Sequence, residues 1–424
     1  MNSLRIALVV HGWPPQEFGG VGLYVESVAK ALKQQGQELT IIAPKRGNFY
    51  SIYSENHTWG TLLMVHIPTP KNWKETWKQD SSSLYFLFSH LEFDILHVHH
   101  LGFWPLDLPQ YITHKKLIVT LHDYALLCGR GQLYNPQKGL CSGPNPSKCV
   151  SCQRAHLTHT SSVHNSYHFL DSTLFQRIPI SKLIVKRILS KIPARRSHVR
   201  LMEERQQMAQ QTLDRAHLIL APSQDIIQRT QPYSKKTIQY HPLPLLRLFP
   251  YSSLPPLPYQ FVFASTIIPT KGLHILLDAI EQLPSTRLIV AGHPGKFESW
   301  PEYASEQIKR MKHIPNCTYI GAVEHKSMQE LLASSHCLVL PSLWPENSPI
   351  IIREALSMGL EVICSAEGGA KELSPQIHIV HNSEELLLMM KHIIDAPRRN
   401  APPDFPTPNE HAKSLLSLYL ASRF

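Results

Sequence analysis

Residues 341–372 read PSLWPENSPIIIREALSMGLEVICSAEGGAKE, and no other stretch narrows the fold as much. An apolar run at 336–340 leads into it and predicts a buried strand. A loop holding Glu346 follows, then a helix to about Met358, a second strand at 362–365, and Gly368-Gly369 before another helix. Ser348 suits an N-cap and Pro349 the first helical position, where a missing N–H is not felt. The helix is apolar almost all round (Ile350, Ile351, Ile352, Ala355, Leu356, Met358), which predicts burial. It nevertheless carries Glu354, and a buried carboxylate is costly without a partner. Glu346 lies just ahead of the same helix, whose end amides and dipole favour a bound anion. The pattern predicts a helix end aimed at a phosphate, with one acid at its mouth and one inside. A solvated loop acid at 346 and an ordinary ion pair at 354 form the plainer alternative.

A chain of 424 residues predicts two or three domains. Its net charge of +10 suits anionic partners: a nucleotide diphosphate, an anionic membrane surface or nucleic acid. No nucleic-acid motif accompanies the charge, so nucleic acid is set aside. Residues 1–10 lack the pattern of a secretory leader, and no run of about 18 apolar residues occurs. The expectation is a cytoplasmic protein, with peripheral attachment to the inner face of the membrane as an extension of it. Seven Cys in a chain of this size do not make a disulfide framework.

The first half alternates buried strands with helices: strands at 6–10, 39–43, 62–66, 95–99 and 117–121, helices at 21–35 and 84–92. Gly19, Gly20 and Gly22 at the mouth of the first helix permit close approach of a phosphate, although a plain tight turn reads the same way. His122 ends a strand, where open α/β sheets place ligands. It is read as a substrate contact, against a strand-end histidine bonded to backbone. The histidines of DILHVHH (94–100) are left outside the site. Cys128, Cys141, Cys149 and Cys152 follow with spacing C-x12-C-x7-C-x2-C. Four thiolates on a Gly/Pro-rich loop suit a structural zinc, with an iron–sulfur cluster second. Four reduced thiols, or a redox pair at Cys149/Cys152, remain open. Residues 178–200 read as a basic amphipathic helix that either lies on an anionic membrane or packs on its domain. Strands are predicted at 218–221 and 237–240. The Pro-rich segment HPLPLLRLFPYSSLPPLPY (241–259) is the best domain boundary. Beyond it, a strand at 261–264 leads through Lys271-Gly272 into a helix over 273–283, where an ammonium and backbone amides can share a diphosphate.

Taken together, PS-Glu346-x7-Glu354-MG-GG, GGVGLYV (19–25), T-x-H-D (120–123) and the Lys271-Gly272 element resemble family-4 retaining glycosyltransferases of the GT-B fold, and the Cys loop resembles that of a subset of them. The resemblance implies an α/β fold of two doubly wound Rossmann-like domains facing a cleft. The first domain would span 1–242, with the Cys loop at 128–152 and a basic helical insertion at 166–215. A linker at 243–258, a nucleotide-sugar domain at 259–405 and a C-terminal helix at 406–424, crossing back to the first domain, would follow. The implied reaction is transfer of a sugar, with retention, from a nucleotide diphosphate sugar to a hydroxyl of a glycan or lipid-linked acceptor in polysaccharide or lipid-linked glycan assembly. No metal is implied for the chemistry. By matching position, His122, Lys271 and Glu346 are catalytic. Gly19, Gly20, Lys271, Gly292, Asn347, Ser348, Pro349, Ile350 and Glu354 bind the nucleotide sugar. Three positions depart from the family pattern: Pro349 where Gly is usual, and Ser265 and Thr266 where Gly and Arg are usual. A nucleotide-sugar 2-epimerase, which shares the fold, remains a rival, and the lost Arg leaves open a second, a non-catalytic nucleotide-sugar-binding subunit. His293 and Lys296 are nearby candidates to compensate.

Overall fold

A computed structural model describes residues 3–14, 19–70, 77, 82–112, 115–136, 138–153, 196–247, 249–251, 253–297 and 299–421. The apolar runs form the strands they predict. In chain order these are β1 (Arg5–Val9), β2 (Glu38–Gly47), β3 (Ser51–His57), β4 (Gly60–Pro68), β5 (Ile95–Val98), β6 (Lys116–Thr120), β7 (Tyr134–Asn135), β8 (Gly139–Leu140), β9 (Leu218–Ala221) and β10 (Ile238–Tyr240). The second half adds β11 (Gln260–Ala264), β12 (Arg287–Ala291), β13 (Cys317–Gly321), β14 (Cys337–Leu340), β15 (Glu361–Ser365) and β16 (His378–Val380).

Two large sheets result. The first runs β10-β9-β6-β5-β1-β2-β4-β3, parallel except for the β3–β4 hairpin at its edge. The second runs β13-β12-β11-β14-β15-β16 and is parallel throughout. Helices cover both faces of strands that are buried on both sides, which is why those strands read as unbroken apolar runs. Apolar clusters fill each face of the first sheet, and another fills the second lobe. In each sheet the strand order reverses at one point, between β1 and β5 in the first and between β11 and β14 in the second. Ligands of doubly wound sheets bind beyond the strand ends at such points.

The chain crosses between lobes twice. Residues 241–259 form the first crossing, without regular structure, and 395–407 form the second. Leu245 N–H donates to Pro406 O at 2.9 Å, so the crossings are bonded to each other. The helix Pro408–Ala421 then packs on the helix Gly20–Gln34 of the first lobe, burying Ala412, Leu415 and Tyr419. Most of the basic amphipathic segment, 178–195, lies outside the described residues; its end, Arg196 onward, starts the helix Arg196–Arg215. No helix among the described residues is long and apolar enough to cross a membrane.

Candidate functional site

The strand ends at both reversal points open on one cleft of about 360 Å³. The first lobe supplies His11 after β1, His100 after β5, and His122 and Asp123 after β6, with Gly19 and Gly20 from the helix mouth. Ser265 and Lys271 come from the loop after β11, and Trp344 to Ile351 from the loop after β14. Of the residues predicted from sequence, Gly19, Gly20, His122, Lys271, Glu346, Asn347, Ser348, Pro349 and Ile350 therefore share one cavity.

Lys271 and Glu346 meet at its floor. Lys271 Nζ lies 2.5 Å from Glu346 Oε1 and sits 5.1 Å above the Trp344 ring. The same oxygen accepts from Ser342 Oγ at 2.8 Å and Trp344 Nε1 at 2.9 Å. Three donors on one buried carboxylate oxygen fix its position and compensate its charge. Two glycines make the approach possible. A Cβ at Gly272 (φ +74°) would stand 1.9 Å from Pro341 O, and one at Gly368 (φ +88°) 2.2 Å from Glu346 O. The Lys271 turn and the Glu346 loop can close together only with hydrogen at both positions.

The helix after Glu346 is Ile350–Ser357. Its N-cap is Pro349 and not Ser348, one residue later than the sequence predicts, and no side chain caps it. The Ser348 hydroxyl is taken instead by Arg353 Nη2 at 2.7 Å. The first-turn amides from Ile350 onward have no intrahelical acceptor and face the cleft with a positive dipole end. The segment after Gly368-Gly369 is a short 3₁₀ turn, Ala370–Leu373, where a helix was predicted.

Glu354 stands one turn below Ile350 on the same helix face. It is buried, and Oε1 has no hydrogen-bond partner; its nearest cation is Arg247 Nη1 at 3.8 Å, from the first interlobe crossing. Burial pushes the carboxyl up to about 7, against the pull of Arg247. Glu354 does not line the cavity. Ile350, one turn before it, lines the cavity and lies close enough to Gly20 that a Cβ there would stand 3.1 Å from Ile350 Cδ1. A buried acceptor without a partner can accept ligand hydroxyls that reach it.

Asn347 joins the lobes. Its Nδ2 donates to Leu121 O and His122 O, each at 3.1 Å, and its Oδ1 accepts from Ser223 Oγ. That leaves its backbone, not its side chain, for a ligand. Glu372 repeats the link, accepting from the Gln224 and Asp225 amides at 2.6 and 2.8 Å.

His122 Nε2 lies 3.1 Å from His99 Nδ1, with its ring edge-on to Tyr24 at 4.9 Å. Burial holds His122 and His99 well below the ordinary histidine value, so both are neutral. His100, which sequence reading left outside, lines the cleft. Gly102 N–H donates to His100 Nδ1 at 2.7 Å, so Nε2 carries the proton given to Asp123 Oδ2 at 2.9 Å. Burial raises the Asp123 carboxyl, but His100 and the Ala125 amide outweigh it and leave it below the usual range. The available signal was position: HH and HD end the adjacent strands β5 and β6, and β5 borders the reversal point.

Gly292 does not line the cleft. Its N–H donates to Gly321 O at 2.7 Å and its carbonyl accepts from Tyr319 Oη at 3.0 Å. A Cβ there would stand 1.8 Å from Ser265 O, so its demonstrable role is to let the strand ends pass.

All four loop cysteines are free. They surround one another, and burial raises the thiols of Cys149 and Cys152, the latter to about 11, with the neighbouring sulfurs adding to it. Among the described residues, no three Cys, His, Asp or Glu side chains converge as ligands of one ion.

The family model described as Glycosyltransferase Family 4 matches residues 18–140, and that described as Glycosyl transferases group 1 matches residues 250–376. A curated relative, the lipopolysaccharide 1,2-N-acetylglucosaminetransferase of Salmonella typhimurium, is 28% identical over 118 residues, which is 26% of this chain and 31% of the relative. Two solved structures share the whole architecture. Sucrose-phosphate synthase from Thermosynechococcus elongatus aligns with a TM-score of 0.62 at 14% identity, covering 99% of this chain and 96% of that one. Anabaena HepE in complex with UDP-glucose aligns with a TM-score of 0.59 at 15% identity, covering 98% and 95%. With a family-4 segment in the first lobe, a group 1 segment in the second and a shared cleft between them, the chain is a glycosyltransferase of the GT-B fold.

Proposed function

We propose that the chain moves a glycosyl group, with retention, from a nucleoside-diphosphate sugar to a hydroxyl of a glycan or lipid-linked acceptor. The observation that carries this is the convergence of Lys271, Glu346 and the first-turn amides of Ile350–Ser357 on one interlobe cavity. An ammonium and uncommitted amides, fixed before the reaction, stabilise the charge that grows on a departing diphosphate. Glu346 is placed to accept from sugar hydroxyls and to keep Lys271 at the floor until the diphosphate takes it over. Glu354 accepts from the ribose hydroxyls. The neutral His122 orients the reacting sugar. No metal ion has a step in this scheme. HepE, solved with UDP-glucose, and the lipopolysaccharide relative support a nucleotide-sugar donor and a role in polysaccharide assembly.

Thermal stabilisation by UDP-, GDP- and ADP-glucose is the first test, because a ligand that binds only the folded state raises its melting temperature by mass action. Proton NMR of the product then reads the anomeric configuration. No stabilisation by any donor overturns the site, and an inverted product overturns retention. Thr266 favours a second reading, a non-catalytic donor-binding subunit: it stands at the usual Arg position, lines no part of the cleft and packs against Gly295. That subunit would be stabilised by donor and yet neither transfer nor hydrolyse it.

A further inference from the structure

A second cavity, of about 480 Å³, opens beside the cleft on the first lobe. The two share His100 and Asp123, so a molecule in one abuts a molecule in the other. Three guanidinium groups line the second cavity: Arg46, Arg130 and Arg205. Asp123, the one carboxylate among the described residues that line it, is held by His100 at 2.9 Å. Arg205 is buried and donates to Ala125 O at 2.5 Å and Leu126 O at 3.4 Å, both neutral acceptors. Among the described residues Arg46 donates to Pro68 O at 3.3 Å and lies over the Phe103 ring at 5.2 Å. Among the described residues neither of these two has a carboxylate partner. Withdrawing guanidinium charge from water without a counter-ion is unfavourable, and a bound anion relieves it.

The rim is shaped at some cost. Phe103 adopts φ +65°, a left-handed conformation unusual for a residue with a side chain, and keeps its ring 48% exposed under Arg46. Trp77 and Trp104 add aromatic wall, and the Cys loop closes the far side through Cys128 and Gln153. Arg130 also lies over Phe297 of the second lobe at 5.1 Å, so lobe closure and this cavity are coupled.

We propose that this cavity holds the acceptor, and that the acceptor carries a phosphoryl or carboxylate group next to the hydroxyl that is glycosylated. The proposal rests on the transferase reading above and names the substrate class for it. The anion sits among the arginines, a sugar or chain lies on the aromatic wall, and the hydroxyl reaches past His100 and Asp123 into the donor cleft.

The test is binding to the intact chain by calorimetry, in matched pairs: glucose against glucose 6-phosphate, and glucose against glucuronate. A third arm uses phosphatidylcholine vesicles with and without phosphatidylglycerol, which separates a lipid headgroup from a soluble phosphate. Each is repeated with Arg46→Gln and Arg205→Lys, and UDP, GDP and ADP binding is measured on every preparation. At least one anionic member should bind roughly tenfold tighter than its neutral twin. Arg46→Gln should remove most of that preference, raised salt should weaken it, and nucleotide binding should stay unchanged. Equal or absent binding across all three arms overturns the proposal, as does a preference that survives both substitutions. Loss of every nucleoside-diphosphate signal in the unsubstituted chain sinks the donor reading instead, and the anion preference, being a binding measurement, is still read on its own.

Discussion

Replacing Glu354 by Gln should stabilise the protein and weaken its hold on donor. The carboxyl is buried and moves from 4.5 to about 7. At 1.36 kcal/mol per tenfold change in proton affinity, holding it ionised costs about 3 kcal/mol relative to the unfolded chain. The folded state binds the extra proton between those two values, so stability falls as pH rises through them, and the full cost applies above about 7. That cost is already net of the Arg247 contact at 3.8 Å. Glu354→Gln should therefore gain about 3 kcal/mol at pH 8 and almost nothing at pH 4.5, a rise of roughly 6–12 °C in the melting temperature of a lobe of this size. The donor loses an ionic acceptor for its ribose, and hydrogen bonds to charged groups are worth about 1.5–3 kcal/mol, so affinity should fall roughly 10–100-fold. Melting curves at pH 8 and 4.5, with and without the stabilising donor, read both effects on one sample. A variant that melts lower at pH 8, or that binds donor as tightly as the parent, refutes the reasoning.

Lys271→Met should lower kcat by about 10²–10³ and destabilise the apo protein by about 3–5 kcal/mol, because it leaves Glu346 buried without its cation; adding Glu346→Gln should restore the melting temperature and not the turnover. His11, held down to about 3, and His241, held down to about 4, share with His97, His99, His122 and His411 a folded state that favours the neutral ring. That stability is whole above about pH 6.5 and is lost as pH falls below it, so the melting temperature should drop steeply between pH 6.5 and 5, and less steeply in His241→Gln; a flat profile contradicts the assignment. Turnover should be unchanged by EDTA, whether or not elemental analysis finds zinc on the four loop cysteines; a loss of turnover that added metal restores contradicts a scheme without a metal step.

The parallel strands were legible because a strand buried on both faces must be apolar along its length, as LIVT in β6 and CLVL in β14 illustrate. The pairing of Lys271 with Glu346 was not legible. The two lie 75 positions apart, and the contact depends on two close backbone approaches at Gly272 and Gly368 that no local pattern announces. Asn347 sits in the loop signature and reads as a ligand contact, whereas its side chain reaches the other lobe; which way a loop amide points depends on tertiary packing. The edge strand β3 has alternating and mostly exposed residues, so it offers little apolar signal.

The two bonded crossings decide how the halves can part. A single tether would let one half roll and twist freely about the other. Two segments fastened side by side at Leu245 and Pro406 act as paired pins on a door, leaving one swing angle free. Asn347 and Glu372 add interlobe hydrogen bonds that must break before the lobes swing apart.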